Sequence, residues 1–319
     1  MQQWKRYFWP VVGCAAVVFS LWLLYHEVRG ISFTDVYDAL AAIPPHRLLL
    51  SALGTVIAYS AIAGYDNIAL AHIGRKVPLL FVSLCSFTTY ALSHNIGGSV
   101  LSGALIRYRA YATKGLSGAE IGVLVAVCWF TFIIAMVLVG GVLFTFSPDL
   151  ATRFVHVLPV EVSAATGIIG LAFVALYVFG SWLHLKPLKI WGMQLVYPRL
   201  PIVFAQLTVG PLEILAAASI VYFALPEAGN PGYIVVLGIF VVAFSIASMS
   251  HAPGGLGVFE FVALAGLSDM NKVSVLAALV VFRLCYLIIP LIIAIIVVVI
   301  FERGQLRAEV PVPEPPQAE

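Results

Sequence analysis

Long apolar runs separated by short polar stretches, with no sustained alternation of apolar and polar positions, dominate this chain. A helix needs about 20 mostly apolar residues to cross a hydrocarbon core of ~30 Å. Eight runs approach that length: residues 8–25, 48–65 (running on to 73), 77–93, 121–148, 162–183, 201–226 interrupted by Glu213, 233–250, and 273–301 interrupted by Arg283. The first follows Lys5-Arg6 as the core of a signal peptide would, but His26-Glu27-Val28-Arg29 offers no small-residue cleavage site. It reads as an uncleaved span.

Two runs stop at glycine-rich polar knots, Ser93-His94-Asn95-Ile96-Gly97-Gly98-Ser99 and Ser250-His251-Ala252-Pro253-Gly254-Gly255, and apolar sequence resumes after each. If the first of these crossed the bilayer once, Lys186, Lys189 and Arg199 would fall outside, against the positive-inside rule. A re-entrant hairpin removes the conflict. Lys5, Arg6, Arg75, Lys76, Arg107, Arg109, Lys114, Lys186, Lys189, Arg199, Arg303 and Arg307 are then cytoplasmic, while Arg29, Arg47, Arg153 and Lys272 are outside. By the same logic 233–267 is a hairpin entering from the other face. The expectation is an all-α polytopic membrane protein of about six spanning helices and two opposed re-entrant hairpins, with both termini cytoplasmic. Re-entrant backbone is tolerated at membrane depth only where protein or a water-filled cavity surrounds it.

Both knots read Ser-His-x-x-Gly-Gly, and 157 residues separate them. At that offset 8–25 falls on 165–182, 48–73 on the run from 201, and 121–146 on 278–303, with Cys128 against Cys285. The pattern describes an inverted-topology repeat, halves about 5–150 and 160–303, within one transmembrane domain covering 1–303. Two glycine-rich breaks can coincide by chance, but the matching order of elements favours duplication. Residues 33–43 suit a short interfacial helix, and the proline-rich 304–319 reads as a disordered tail.

Composition sharpens this picture. The 319 residues are 62% hydrophobic and 10% charged, against about 45–50% and about 25% for soluble domains. Seventeen Lys and Arg against fifteen Asp and Glu leave no basic excess to suggest nucleic acid as a partner. The four cysteines lie in apolar runs, where they act as small hydrophobes. No phosphate loop, nucleophile elbow or HExxH motif occurs, and no metal or cofactor is expected.

Charges at membrane depth are costly and by default point to function. Asp66, Glu213, Glu260 and Arg283 are the four. Glu213 is near the middle of its run and follows Pro211, which removes a helix hydrogen bond. Asp66 lies toward the inner end of its helix, where a structural role fits as well as a functional one. Glu260 and Arg283 are able to pair, either as part of a site or simply to hold the hairpin against the last helix. After the first knot, Arg107-Tyr108-Arg109 places base beside aromatic at the inner surface, suited to a lipid phosphate or to an ordinary positive-inside cluster. Gly97, Gly98, Gly254, Gly255 and Gly257 allow tight turns, and helix arms starting after them would aim positive dipole ends inward. Ser93, His94, Asn95, His251 and Pro253 complete the knots. The two histidines read as proton carriers or as polar caps of the hairpin tips.

Ala252-Pro-Gly-Gly-Leu-Gly-Val-Phe-Glu260, followed by Arg283-Leu-Cys-Tyr286-Leu-Ile-Ile-Pro290, resembles the signature of the lysylphosphatidylglycerol synthase transmembrane-region family. The stretch from Tyr90 to Gly98 and on through Arg107-Tyr-Arg109 is similar to the flippase part of the bifunctional multiple peptide resistance factor. The resemblance covers about residues 5–303. It implies a lipid translocator of the bacterial inner membrane that moves an anionic or aminoacylated phospholipid such as lysyl-phosphatidylglycerol. Arg107, Arg109, Arg283 and Tyr286 are then the headgroup residues. The chain stops at Glu319 without a synthase domain, so no enzymatic activity is expected and a separate enzyme would make the lipid. The alternative is a non-transporting scaffold or accessory protein of an aminoacyl-lipid, hopanoid or glycolipid pathway.

Overall fold

The computed structural model describes residues 30–96, 99–147, 149–154, 164–183, 188–190, 193–195, 197–250 and 252–308. The expected span 8–25, the knot residues Gly97, Gly98 and His251, and the tail from 309 onward lie outside the described residues.

A short helix, α1 (Phe33–Ala41), starts at a capping box in which Ser32 receives the Thr34 amide and Asp35 returns to the Ser32 amide. Next come α2 (Pro45–Ile73), α3 (Leu79–Ile96), α4 (Ser99–Ala112), α5 (Gly118–Phe146), the single turn α6 (Asp149–Thr152) and α7 (Ala164–Trp182). A two-stranded antiparallel ribbon follows, β1 (Leu188–Ile190) and β2 (Met193–Leu195), with Lys189 opposite Gln194. The chain continues as α8 (Leu200–Ala224), α9 (Tyr233–Met249), a 3-10 turn at Pro253–Gly255, and α10 (Val258–Gly266). The last helix is α11 (Lys272–Phe282), a π-helical segment Arg283–Ile288 and α12 (Ile289–Ala308). α12 runs five residues past the expected boundary at 303. Apart from the small ribbon the described fold is all-α.

Proline at N1 starts α2, and Gly74 at φ 74° ends it. Ser117 and Glu120 form a second capping box at the start of α5. Six described helices are long and apolar enough to cross a membrane: Pro45–Ile73, Leu79–Ile96, Gly118–Phe146, Ala164–Trp182, Leu200–Ala224 and the continuous Lys272–Arg303. The chain is a multi-pass membrane protein. Five of these helices coincide with expected spans; the sixth, α3, is the first arm of an expected hairpin and has the length of a span.

The order long helix, paired shorter helices, long helix occurs first as α2, α3–α4, α5 and again as α8, α9–α10, α11–α12. The two leading helices, α2 and α8, lie antiparallel: the Ser51 hydroxyl donates to the Ile220 carbonyl at 3.0 Å, while Gly64 faces Val209. At one end of the molecule Phe81 of α3 meets Phe301 of α12 at 6.4 Å between ring centroids, and Arg109 of α4 pairs with Glu302. Both free ends of the first hairpin thus sit by the end of the last helix. At the opposite end the Tyr233 hydroxyl of α9 donates to the Leu215 carbonyl, and Arg153 holds the Gly266 carbonyl closing α10. The tips meet inside: a Cβ on Gly254 would lie 3.8 Å from the His94 carbonyl oxygen.

In lipid the helices cannot rely on a solvent-driven hydrophobic effect, so close van der Waals packing between small residues carries more of the association. Gly167 of α7 is pressed on α5 so closely that a Cβ there would fall 2.7 Å from the Thr145 amide nitrogen and 2.8 Å from the Gly141 carbonyl oxygen. Gly167→Ala must therefore push α7 off α5, at about 1–3 kcal/mol, a usual cost of overpacking. Gly122→Ala meets open space and serves as the control. Thermal unfolding in detergent should show a lower midpoint for the first variant only, and equal midpoints would contradict the packing.

Candidate functional site

A cavity of about 570 Å³ lies between the two hairpins, α5 and the last helix. Its α3 wall is polar and carries Thr89, Ser93 and His94; the Thr89 and Ser93 hydroxyls and the Nδ1 of His94 are buried there without a hydrogen-bond partner. Such groups cost free energy unless something polar reaches them. The α5 lining, with Phe132 and Met136, is apolar, α9 adds Phe244 beside Ser245 and Ser248, and Trp129 and Met249 sit exposed among the lining residues.

Three buried carboxylates lie one or two contacts behind residues that line this space, and each is satisfied differently. Asp66 on α2 is fully buried and receives Arg107 of α4 through Nη2 at 2.7 Å and through Nε at 3.2 Å to both carboxylate oxygens. The Tyr111 hydroxyl adds a bond at 2.8 Å, Ser86 one at 3.3 Å and the Cys128 thiol one at 3.4 Å. The Arg107 guanidinium also lies over the Tyr90 ring, 5.0 Å from its centroid. Gly103 permits this approach, because a Cβ there would crowd Ser93, Thr89 and Arg107.

Glu260 closes the second hairpin. One oxygen accepts the Gly257 amide at 2.8 Å, capping α10, and the other pairs with Arg283 Nε. Arg283 also donates from Nη1 to the Gly254 carbonyl at 3.0 Å, and its Nη2 is buried without a partner. The turn carrying that carbonyl depends on Gly254 and Gly255, each at φ 61°, a region that side chains with a Cβ rarely adopt.

Glu213 on α8 is 4% exposed and pairs with no cation among the described residues. Its partners are hydroxyls: Tyr286 at 2.6 Å to one oxygen and Tyr65 at 3.3 Å to the other. Tyr286 belongs to the π-helical segment, and the sequence shows why the helix widens there. Pro290 lacks the N–H that would bond the Tyr286 carbonyl four residues back. The Tyr59 hydroxyl takes that carbonyl instead, at 2.9 Å, and the Asn95 side chain takes the neighbouring Leu287 carbonyl at 3.2 Å.

Several expected positions change. Arg107 is not at the surface: it is 4% exposed, lines the cavity and is neutralised by Asp66. Arg109 is exposed and bound to Glu302 at 2.8 Å, so the two arginines do not form one phosphate grip. Tyr286 is fully buried with its hydroxyl on Glu213, which removes it from direct headgroup contact in this conformation. Its ring stacks on His94, 5.6 Å apart and 23° from parallel. The structure does bring together Glu260, Arg283, Gly254, Gly255, Gly257, Ser93, His94 and Asn95 around the meeting tips. The sequence reading missed Thr89, Tyr65 and Tyr111. Thr89 and Ser93 are four apart, and so are Tyr90 and His94; that spacing puts each pair on one face of a helix and was the available signal.

Removing one partner of a buried ion pair costs about 3–5 kcal/mol, whereas an apolar replacement of both is often near neutral. Asp66→Leu and Arg107→Met should each lower the unfolding midpoint strongly, and the double variant should recover most of the loss. A double variant as unstable as the sum of the singles would refute the pairing.

The family model described as the lysylphosphatidylglycerol synthase TM region matches residues 11–294. The chain is 31% identical to the uncharacterised protein slr0712 of Synechocystis over 93% of this chain and 92% of that one. It is 30% identical to the inner membrane protein YbhN of Escherichia coli, over 82% and 83%. A phosphatidylglycerol lysyltransferase of Staphylococcus haemolyticus is 28% identical over 86% of this chain, which spans 31% of that larger protein. With the family model matching most of its length, the chain belongs to the lysylphosphatidylglycerol synthase transmembrane-region family.

Proposed function

We propose that this protein is a lipid translocator of the bacterial inner membrane, without synthase activity, which passes an anionic or aminoacylated phospholipid such as lysyl-phosphatidylglycerol between leaflets. The observation that carries the reading is the cavity itself. The α3 wall offers buried hydroxyls and an imidazole Nδ1 without partners, the α5 lining is apolar, and exposed Trp129 and Met249 are among the lining residues. A headgroup is accommodated on the polar side while acyl chains keep to the apolar side and the bilayer. The name of the staphylococcal relative, a phosphatidylglycerol lysyltransferase, supports a phospholipid as the cargo. That of YbhN supports the inner membrane.

In this reading both hairpins are re-entrant and enter from opposite faces. The face tied by the Arg75–Glu120 and Arg109–Glu302 pairs is cytoplasmic, as are both termini. Arg283, whose Nη2 has no partner beside the Gly254 turn, is the donor for a phosphate oxygen. The lipid comes from a separate synthesising enzyme.

Purified protein in liposomes should exchange fluorescent phosphatidylglycerol and lysyl-phosphatidylglycerol between leaflets. Arg283→Ala should slow exchange at least tenfold, and Thr89→Val with Ser93→Ala severalfold, in variants whose unfolding midpoints show them to be folded. Absence of exchange by folded native protein would end the translocator reading and favour a scaffold. For the topology, Asn95→Cys should react with a membrane-impermeant thiol reagent applied from the cytoplasmic side; labelling from outside alone would refute inner entry of the first hairpin.

A further inference from the structure

We propose that lipid movement by this protein is coupled to protons through Glu213; the inference rests on the translocator reading and adds its driving force. Glu213 differs from the other two buried carboxylates. Asp66 and Glu260 are locked to arginines, so neither is free to change charge without leaving a buried guanidinium uncompensated. Glu213 has no such restraint. Its two oxygens accept only from hydroxyls, and the shorter bond, 2.6 Å from Tyr286, has the length of a hydroxyl donating to an ionised carboxylate. An ionised carboxylate held by neutral donors alone is expensive at membrane depth. Uptake of one proton, with an O–H bond forming at the carboxyl and hydronium reverting to water, removes that cost.

The surroundings give this proton somewhere to act. Titratable groups facing Glu213 or its donors are Tyr59 and Tyr65 of α2, Tyr286 of the π-helical segment, and behind them Tyr90 and His94 of α3 and Cys128 of α5. No Lys or Arg of the described residues pairs with it. Tyr286 stands between the carboxyl and the cavity, its hydroxyl on Glu213 and its ring against His94, which lines the cavity. A protonated carboxyl becomes a donor and no longer accepts from both tyrosines in the same way. The change is therefore felt by the segment that also holds Arg283 and meets Asn95 of the first hairpin. Pro211, two residues before Glu213, leaves α8 with one backbone bond fewer at this level.

The test uses proteoliposomes of native protein with a trace of acyl-labelled fluorescent phosphatidylglycerol and the membrane potential clamped by potassium and valinomycin. With one proton moved per lipid, an imposed gradient of one pH unit should shift the leaflet ratio of the label by up to ~tenfold. Folded Glu213→Gln should exchange the label to an even distribution whether or not the gradient is present. Tyr286→Phe keeps the carboxyl and removes its shorter donor, and should alter the pH profile of exchange while keeping a response to the gradient. Native exchange that ignores the gradient would overturn the coupling and leave the translocator standing. A native-like response in Glu213→Gln would overturn the assignment to this residue. An unchanged profile in Tyr286→Phe would disconnect the π-helical segment from the proton, and absence of any exchange would instead overturn the function proposed above. If Glu213→Gln fails to fold, the native gradient arm and Tyr286→Phe decide the matter.

Discussion

A carboxylate in an apolar interior must find its compensation within the protein, because no bulk water is there to supply it. That constraint arranges the centre of this molecule. Asp66 draws in Arg107 and so ties α2 to the return arm of the first hairpin. Glu260 draws in Arg283 and ties the return arm of the second hairpin to the last helix. Glu213, without a cation, gathers hydroxyls from α2 and from the last helix and joins the leading helices of both halves. The order of helices recurs at an offset near 157 residues, yet these charges do not: the positions matching Asp66, Glu260 and Arg283 are Phe223, Gly103 and Ala126. The recurring order of helices thus carries one set of polar contacts, and the cavity is unequal on its two sides.

The last helix shows how a local backbone defect becomes a joint. Proline at 290 leaves the Tyr286 carbonyl without its usual partner, and the widened turn also presents the Leu287 carbonyl sideways. Tyr59 and Asn95 satisfy these carbonyls from two other elements. Without the proline, the Tyr286 carbonyl would have bonded within the helix. The proline therefore exchanges intrahelical bonds for bonds to α2 and to the tip of the first hairpin, and places Arg283 and Tyr286 at opposite ends of four residues reaching different carboxylates.

Much of the architecture was legible in the sequence because spanning segments advertise themselves by uninterrupted apolar length, which needs no knowledge of what each helix touches. The helix breaks after α3 and α9 were legible from the glycine-rich knots, and the recurring order of helices from the repeated Ser-His-x-x-Gly-Gly. Side-chain partners were harder to read, for a reason visible in Arg107 and Arg109. Residues two apart on a helix point about 200° away from one another, so one faces Asp66 inside while the other faces Glu302 outside. Grouping them by composition hid that difference; helical phase would have separated them. Tyr65, Tyr111 and Tyr286 carry the polar contacts through hydroxyls on otherwise apolar rings, and in a run of hydrophobic residues they count as more of the same. The π-helical segment arises from the combination of Pro290 with tertiary donors more than 190 residues away in sequence. No local pattern contains those donors.

Magnitudes also divide the core into parts. Breaking a buried ion pair costs about 3–5 kcal/mol, while a neutral hydrogen bond is worth a net of about 0.5–1.5 kcal/mol. The two arginine–carboxylate pairs at the centre lie within units: Asp66–Arg107 holds the first hairpin to α2, and Glu260–Arg283 holds the second hairpin to the last helix. Between the two units stand neutral donors on backbone carbonyls, Tyr59 on Tyr286 and Asn95 on Leu287, the stacked rings of His94 and Tyr286, and Glu213 of α8 bridging Tyr65 and Tyr286, while Arg109 of α4 pairs with Glu302 of α12 at the exposed end. The buried ion pairs are thus inside each unit, and the ion pair that crosses between them is exposed, of the kind worth about 0–1 kcal/mol. The polar wall of the cavity, on α3, belongs to one unit, and the Gly254–Gly255 turn that meets it belongs to the other. The unpartnered Thr89, Ser93 and His94 groups lie along that seam.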